Sequence, residues 1–200
     1  MPATTADGLH RVRASQVGAA YLKPGASFAS YQAVLIDPVT IAYKKGGQPS
    51  YFELDDSALE RMKRMFQEAF DRQMARSAAF SVVSEPGPGV LRVSGHIVDL
   101  VVTAPPFRGG EVDFVVNAGE LTLILDVRDA ESHEALARIA DRRAIRPEGT
   151  SITGGYQSNA VNNWGALREI FDRWARALRG GLDDLHTLPP VPAPASTAPR

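Results

Sequence analysis

Two apolar stripes of helical period bracket a run of strand-like segments, and that arrangement leaves few architectures open. Leu59, Met62, Phe66, Phe70 and Met74 recur at three- and four-residue steps, which places them along one side of a helix. Leu167, Ile170, Phe171, Trp174 and Leu178 form the second stripe. Each stripe must be buried against something, and the segments around and between them supply sheet. The order is expected to be β-α-β-β-β-β-α. This is an α+β fold in which a mixed, largely antiparallel sheet carries two amphipathic helices, most simply both on one face.

The first strand is expected from Ala33 to Tyr43, kinked at Asp37-Pro38 because proline has no N–H to give a ladder. Ser57 to Glu60 has the form of a capping box, with Asp55 and Asp56 as rival caps for the first helix. Phe80 to Ser84 should return parallel to the first strand, since strand, helix, strand commonly makes a parallel crossover. Further strands are read at Val90–Thr103, with a bulge at Gly95, and at Leu121–Val127 and Ala135–Ile145. Ser158 or Asn159 can cap the last helix, and Gly180-Gly181 is expected to stop it. Residues 1–6 read as an N-terminal tether, 7–186 as the folded unit, and 187–200 as a Pro/Ala-rich tail that stays extended and solvated.

Composition narrows function mainly by exclusion. The 200 residues hold 22 Lys and Arg against 23 Asp and Glu, so no net field gathers phosphates, and nucleic acid is not an expected partner. No stretch approaches the roughly 20 apolar residues of a spanning helix. With 0 cysteines there is no disulfide, thiolate site or cysteine nucleophile.

Catalytic patterns fail one by one. His133-Glu134 opens like a zinc-protease motif, but the second histidine is replaced by Ala137. Gly154-Gly155 precedes a helix without the lysine of a phosphate loop, and Gly87 and Gly89 are followed by a strand rather than a helix. No serine lies in a nucleophile elbow. His96, Asp99, Asp126, Arg138, Asp141 and Arg142 fall on neighbouring strands, with His96 expected to be the only histidine inside a regular element. They could form an acid–base cluster if several share one face, although cross-strand ion pairs on a wet sheet face are the stronger reading. No catalytic residue, cofactor or metal ligand is assigned on this basis.

Several stretches resemble a bacterial family of candidate lipoproteins known only as domain of unknown function 3313. They are Asp7-Gly8-Leu9, Tyr21 to Ala26, Val34 to Val39, Glu85 to Val90, Ile97 to Leu100, Ala118 to Leu121, Asp141 to Arg143, and Asn163-Trp164 continuing to Phe171–Trp174. The resemblance spans nearly the whole folded unit. It implies a domain on the periplasmic side of the bacterial envelope, held by a lipid on an N-terminal cysteine of the full-length precursor. This chain departs from that pattern in having no cysteine. The family brings no catalytic residues.

The expectation is therefore a non-enzymatic envelope domain that binds or scaffolds other envelope proteins or associates with itself. The alternative is a small-molecule binder or hydrolase using the His96/Asp99 region. Residues 104–117 are long for a connection between antiparallel strands, and Phe107, Phe114 and Val115 give that stretch apolar character, so it is read as a possible interaction loop. The stronger competing reading is that Phe114 to Val116 simply begins the next strand and Phe107 tucks into the core.

Overall fold

The alternating apolar residues of three long segments pair into the centre of the sheet, and shorter segments add to both sides. The computed structural model describes residues 2–45, 53–102, 113–115, 119–145, 156–158 and 160–193. Along the chain these form β1 (His10–Val12), β2 (Ala19–Leu22), β3 (Ala33–Ile36), β4 (Thr40–Tyr43), α1 (Asp56–Met74), β5 (Ser81–Val83), β6 (Val90–Val102), β7 (Asp113–Val115), β8 (Gly119–Asp129), β9 (Ala135–Ile145), β10 (Tyr156–Ser158) and α2 (Ala160–Thr187). The main sheet runs β1-β2-β9-β8-β6-β3-β5, with β4 also on β6, while β7 and β10 pair with each other. The α+β class and the mixed, mostly antiparallel sheet are as read from the sequence. Strands β1, β2, β7 and β10 are additions, each of three or four residues, too short to show a period.

β6, β8 and β9 are antiparallel neighbours, and β3 and β5 pair in parallel after the α1 crossover, as expected. The kink at Asp37-Pro38 splits the first strand into β3 and β4, both parallel to β6. The Asp37 N–H still donates to the Val93 carbonyl at 2.9 Å, so the interruption is confined to the proline. The bulge expected at Gly95 lies elsewhere. Register runs unbroken from Ser94 to His96 and shifts between Val98 and Val101, where Asp99 takes φ 51°. Gly95 is there for space: a Cβ at that position would stand 2.7 Å from Cζ of Phe66. A glycine that breaks the apolar alternation so has two explanations, and here the helix above it decides.

Asp55, not Ser57, caps α1. Its carboxylate accepts from the Ala58 N–H at 2.8 Å and from the Ser57 hydroxyl at 2.7 Å. Met62, Phe66, Phe70 and Met74 are buried under the stripe, with Phe66 stacked on Phe70 at 4.1 Å and edge-on to Phe171 at 5.6 Å. Phe66 reaches Gly95 of β6 and Trp174 bonds Asp141 of β9, and both contacts lie on the sheet face that carries Leu91, Ile97, Leu123 and Leu125. Both helices therefore cover one face. α2 does not stop at Gly180-Gly181 but continues to Thr187. Each glycine costs about 1 kcal/mol against alanine. Burial of Leu182 beyond them, with Leu185 packed on the core, offsets that cost.

Described residues of both stretches expected to be tethers make contacts with the domain. Arg11 N–H donates to the Ala3 carbonyl at 2.9 Å, the Tyr21 hydroxyl donates to the Pro2 carbonyl at 3.2 Å, and Leu9 is fully buried against Ala19 and Tyr21. Near the other end, Gly25 N–H donates to the Val191 carbonyl at 2.7 Å and Val191 N–H to the Ala26 carbonyl at 2.8 Å. The boundary of the folded unit thus lies beyond His186, because a valine within the proline-rich stretch finds both backbone partners and apolar cover. Two outcomes follow. Removing residues 188–200 should lower stability by about 1 kcal/mol, a fall in Tm of roughly 2–4 °C in a thermal scan. Trp174 is 1 % exposed, and Trp174→Ala should cost about 3–5 kcal/mol in urea unfolding, through the cavity left between α2 and the sheet.

Candidate functional site

Strand alternation turns Arg92, Ser94 and His96 of β6, Asp126 of β8 and Arg138 of β9 to the sheet face opposite the helices, where Ser94, Asp126 and Arg138 are in register. Asp37, at the end of β3 beside the kink, accepts from Arg92 Nε at 2.8 Å and Ser94 Oγ at 2.6 Å. Asp126 accepts from Arg138 Nε at 2.5 Å, and the same guanidinium donates to both carboxylate oxygens of Asp7 at 3.2 and 2.9 Å. His96 sits beside Asp126. Its Nε2 is 4.0 Å from Asp126, and its Nδ1 is 2.8 Å from the Thr40 hydroxyl.

The environment acts on these acids in opposing ways. Partial burial pushes the Asp37 carboxyl up, but the hydrogen bonds from Arg92 and Ser94 and the positive charge of Arg92 outweigh it and hold the group below the usual carboxylate range. Asp7 is lowered through its hydrogen bond with Thr5, against a smaller desolvation effect and with help from Arg138. Carboxylates held charged by guanidinium forks are poor general acids. They pair readily across a wet sheet face.

The six residues proposed as a cluster divide into three groups. His96, Asp126 and Arg138 meet on the open face. Arg142 lies further along that face and pairs with Glu120, which also has Lys44 Nζ at 3.6 Å, while exposed Asp99 occupies the bulge. Asp141 is on the other face, 4 % exposed, because its register partner Leu123 points to the core. There it accepts from Trp174 Nε1 at 2.7 Å, Arg143 Nε at 2.6 Å and Gly18 N–H at 2.9 Å. His96 is not the only histidine in a regular element, since His10 lies in β1 and His186 in α2. Sequence reasoning missed Asp37 and Asp7. The signal for Asp37 was its place beside Pro38, where a side chain gains freedom to reach the next strand.

His133, with φ 60°, belongs to the polar hairpin turn before β9, in which Asp129 accepts from the N–H groups of Glu131 and Ser132 at 3.1 and 2.7 Å. Burial and a hydrogen bond to Asp129 push the Tyr31 hydroxyl up to about 12. Among the described residues no group of three or more histidines and carboxylates is placed to hold a metal ion, and no helix is long and apolar enough to cross a membrane. Phe107 lies outside the described residues, as do Asn159, Gly154 and Gly155. Phe114 and Val115 are in β7, whose described partner is β10: Phe114 pairs with Gln157 and Val115 with Tyr156. They do not begin the next strand of the main sheet.

The fold is thus an α+β domain with a helix-covered sheet face and an open face bearing paired charges. The chain belongs to the family described as protein of unknown function (DUF3313), whose model matches residues 4–178. No curated protein matches it. Among solved structures it is similar to the PelC dodecamer from Paraburkholderia phytofirmans, at 9 % identity over 80 % of this chain and 96 % of that one, TM-score 0.39. It is also similar to protein XCC0632 from Xanthomonas campestris, of the family DUF330, at 11 % identity over 81 % and 87 %, TM-score 0.44. A third is a candidate lipoprotein from Caulobacter crescentus, at 14 % identity over 78 % and 90 %, TM-score 0.35.

Because the folded-state pKa of Asp37 is depressed, its contribution is present above the unfolded carboxylate value of ~3.9 and is lost as pH falls through the lower folded value. Asp37→Asn should therefore destabilise the domain at neutral pH. The gap between wild type and variant should shrink steadily below about pH 4. Urea midpoints measured from pH 7 down to pH 2.5 would show it, and a gap constant with pH would refute the assignment.

Proposed function

We propose that this domain is a non-enzymatic binding or scaffolding module of the bacterial cell envelope, and that it engages another envelope protein or a second copy of itself through the ribbon formed by β7 and β10. The observation that carries this reading is the ribbon. β6 ends at Val102, β8 starts at Gly119, β9 ends at Ile145 and α2 starts at Ala160, so two insertions leave the same end of the sheet. Their described strands pair with each other. A two-stranded ribbon of this length is marginal by itself and gains stability from whatever covers it. Open strand edges also offer backbone donors and acceptors to an added strand.

The sequence supports the same surface. Phe107, Phe114, Val115 and Val116 give the insertion more apolar content than a solvated loop needs. Envelope location and a lipid anchor in the full-length precursor are supported by the family resemblance. The alternative chemistry at His96 and Asp99 has no comparable support, since those side chains do not converge.

In sedimentation velocity and in affinity recovery from native envelopes, Phe107→Ser combined with Phe114→Ser should abolish self-association or partner recovery. Tm should stay within about 2 °C of wild type. A double variant that unfolds, or that sediments and recovers partners like wild type, would refute the reading.

A further inference from the structure

At the end of β9 far from the ribbon, the loop after β1, strands β2 and β9, and the last turns of α2 enclose a groove of about 320 Å³. Its walls include Val12, Val17, Leu22, Ile139, Leu185 and Leu188. The first five are only half-buried, and Leu188 is 53 % exposed, one of two large apolar side chains with such exposure among the described residues. The groove therefore gathers apolar surface that the fold leaves open to water.

Gly180 and Gly181 line the same groove. They sit in the interior of a long helix, where glycine is a poor choice, and a Cβ on either would meet nothing within 4 Å. Crowding within the chain does not explain them. Glycine allows a ligand to approach the backbone closely, and here the approach is from the groove.

A second hollow adjoins the first across the loop, and the two share Val12, Arg13, Ala14 and Ser15 as a wall. It is open, and its lining includes His10, Arg11 and Arg13 with no acidic residue among the lining residues. The described arginines in ion pairs are Arg72, Arg92, Arg138, Arg142, Arg143 and Arg179, so Arg11 and Arg13 stand outside that set. An apolar slot thus opens beside a cationic mouth.

We propose that this pair of hollows binds a free single-chain anionic amphiphile, a medium-chain fatty acid, with its chain over Gly180-Gly181 and its carboxylate at Arg11 and Arg13. Volume favours one chain over two. A dry cavity of about 150 Å³ holds benzene, six carbons, so 320 Å³ takes roughly a dozen, too few for a diacyl lipid. The site lies at the other end of β9 from the ribbon and does not depend on it.

The test uses the full chain and dodecanoate below its micellar concentration, followed by calorimetry and by amide NMR. Saturable one-to-one binding that shifts the Gly180 and Gly181 amides is expected. Gly181→Leu, which fills the slot, should weaken it by at least tenfold, about the effect of one blocked apolar subsite. Gly181→Ala should keep the helix and weaken binding less, so that a misfolded leucine variant would not leave the question open. Arg13→Glu should cost roughly tenfold for dodecanoate and little for dodecanol, the loss of one charge-assisted contact. The proposal is overturned by absence of saturable binding, by an unchanged Kd in both Gly181 variants, or by dodecyltrimethylammonium binding as tightly as dodecanoate. Binding to anionic diacyl vesicles without binding of dodecanoate also overturns it.

Discussion

A carboxylate on the helix-facing side of a sheet destabilises the fold unless its oxygens are bonded, and Asp141 meets that demand with three donors from three parts of the chain. The Trp174 indole fixes where α2 lies on β9. The Gly18 N–H fixes the loop between β1 and β2, and Arg143 ties that loop again through the Gln16 carbonyl at 3.3 Å. Gly18 has no spare room, since a Cβ there would be 3.2 Å from the Ala140 carbonyl. Sheet edge, loop and helix are thus held by one charge. The loop so held is the wall shared by the apolar groove and the cationic hollow, and the position of both hollows follows from the burial of Asp141.

The same residue types behave differently on the open face. There the acids meet arginines in water, where each pair contributes little to net stability. Their value is in register. A slip of one residue would carry Asp126 and Arg138 to the core and expose Leu125 and Ile139, a change that costs burial on both faces. The ladder from Asp37 to Asp7 is therefore best understood as a consequence of alternation, stabilised by pairing.

Long periodic elements were legible in the sequence because many residues repeat the same statement. β8 shows four core residues in strict alternation, and α1 and α2 show full stripes. The parallel return of β5 and the break at Pro38 followed from elementary backbone rules. Short strands such as β1 carry no period, and their existence depends on partners distant in the chain. Gly95 and Gly180-Gly181 misled for a related reason. A glycine signals a bulge, a helix end, a close contact or a vacancy alike, and only the neighbours tell which: Phe66 at one site, empty space at the others. The polar cluster divided because Asp99 sits in the register shift of β6 and neighbours on one strand alternate between faces. Asp141 and Arg142 are adjacent in the chain and lie on opposite faces.

The distribution of constraint along β9 connects these observations. At its start the strand is flanked by β2 and β8 and covered by α2, and the open apolar surface there is walled by a loop anchored to Asp141. At its far end the main sheet reaches a backbone contact that only glycine allows. A Cβ on Gly119, with φ 149°, would stand 2.0 Å from the Val101 carbonyl oxygen. β6 and β8 are thereby held at closest approach where the insertion between them departs. The described strands of the two insertions that leave this end pair with each other. Constraint along β9 thus comes from a bonded loop and a covering helix at one end, and from a glycine-only approach of β6 and β8 at the other.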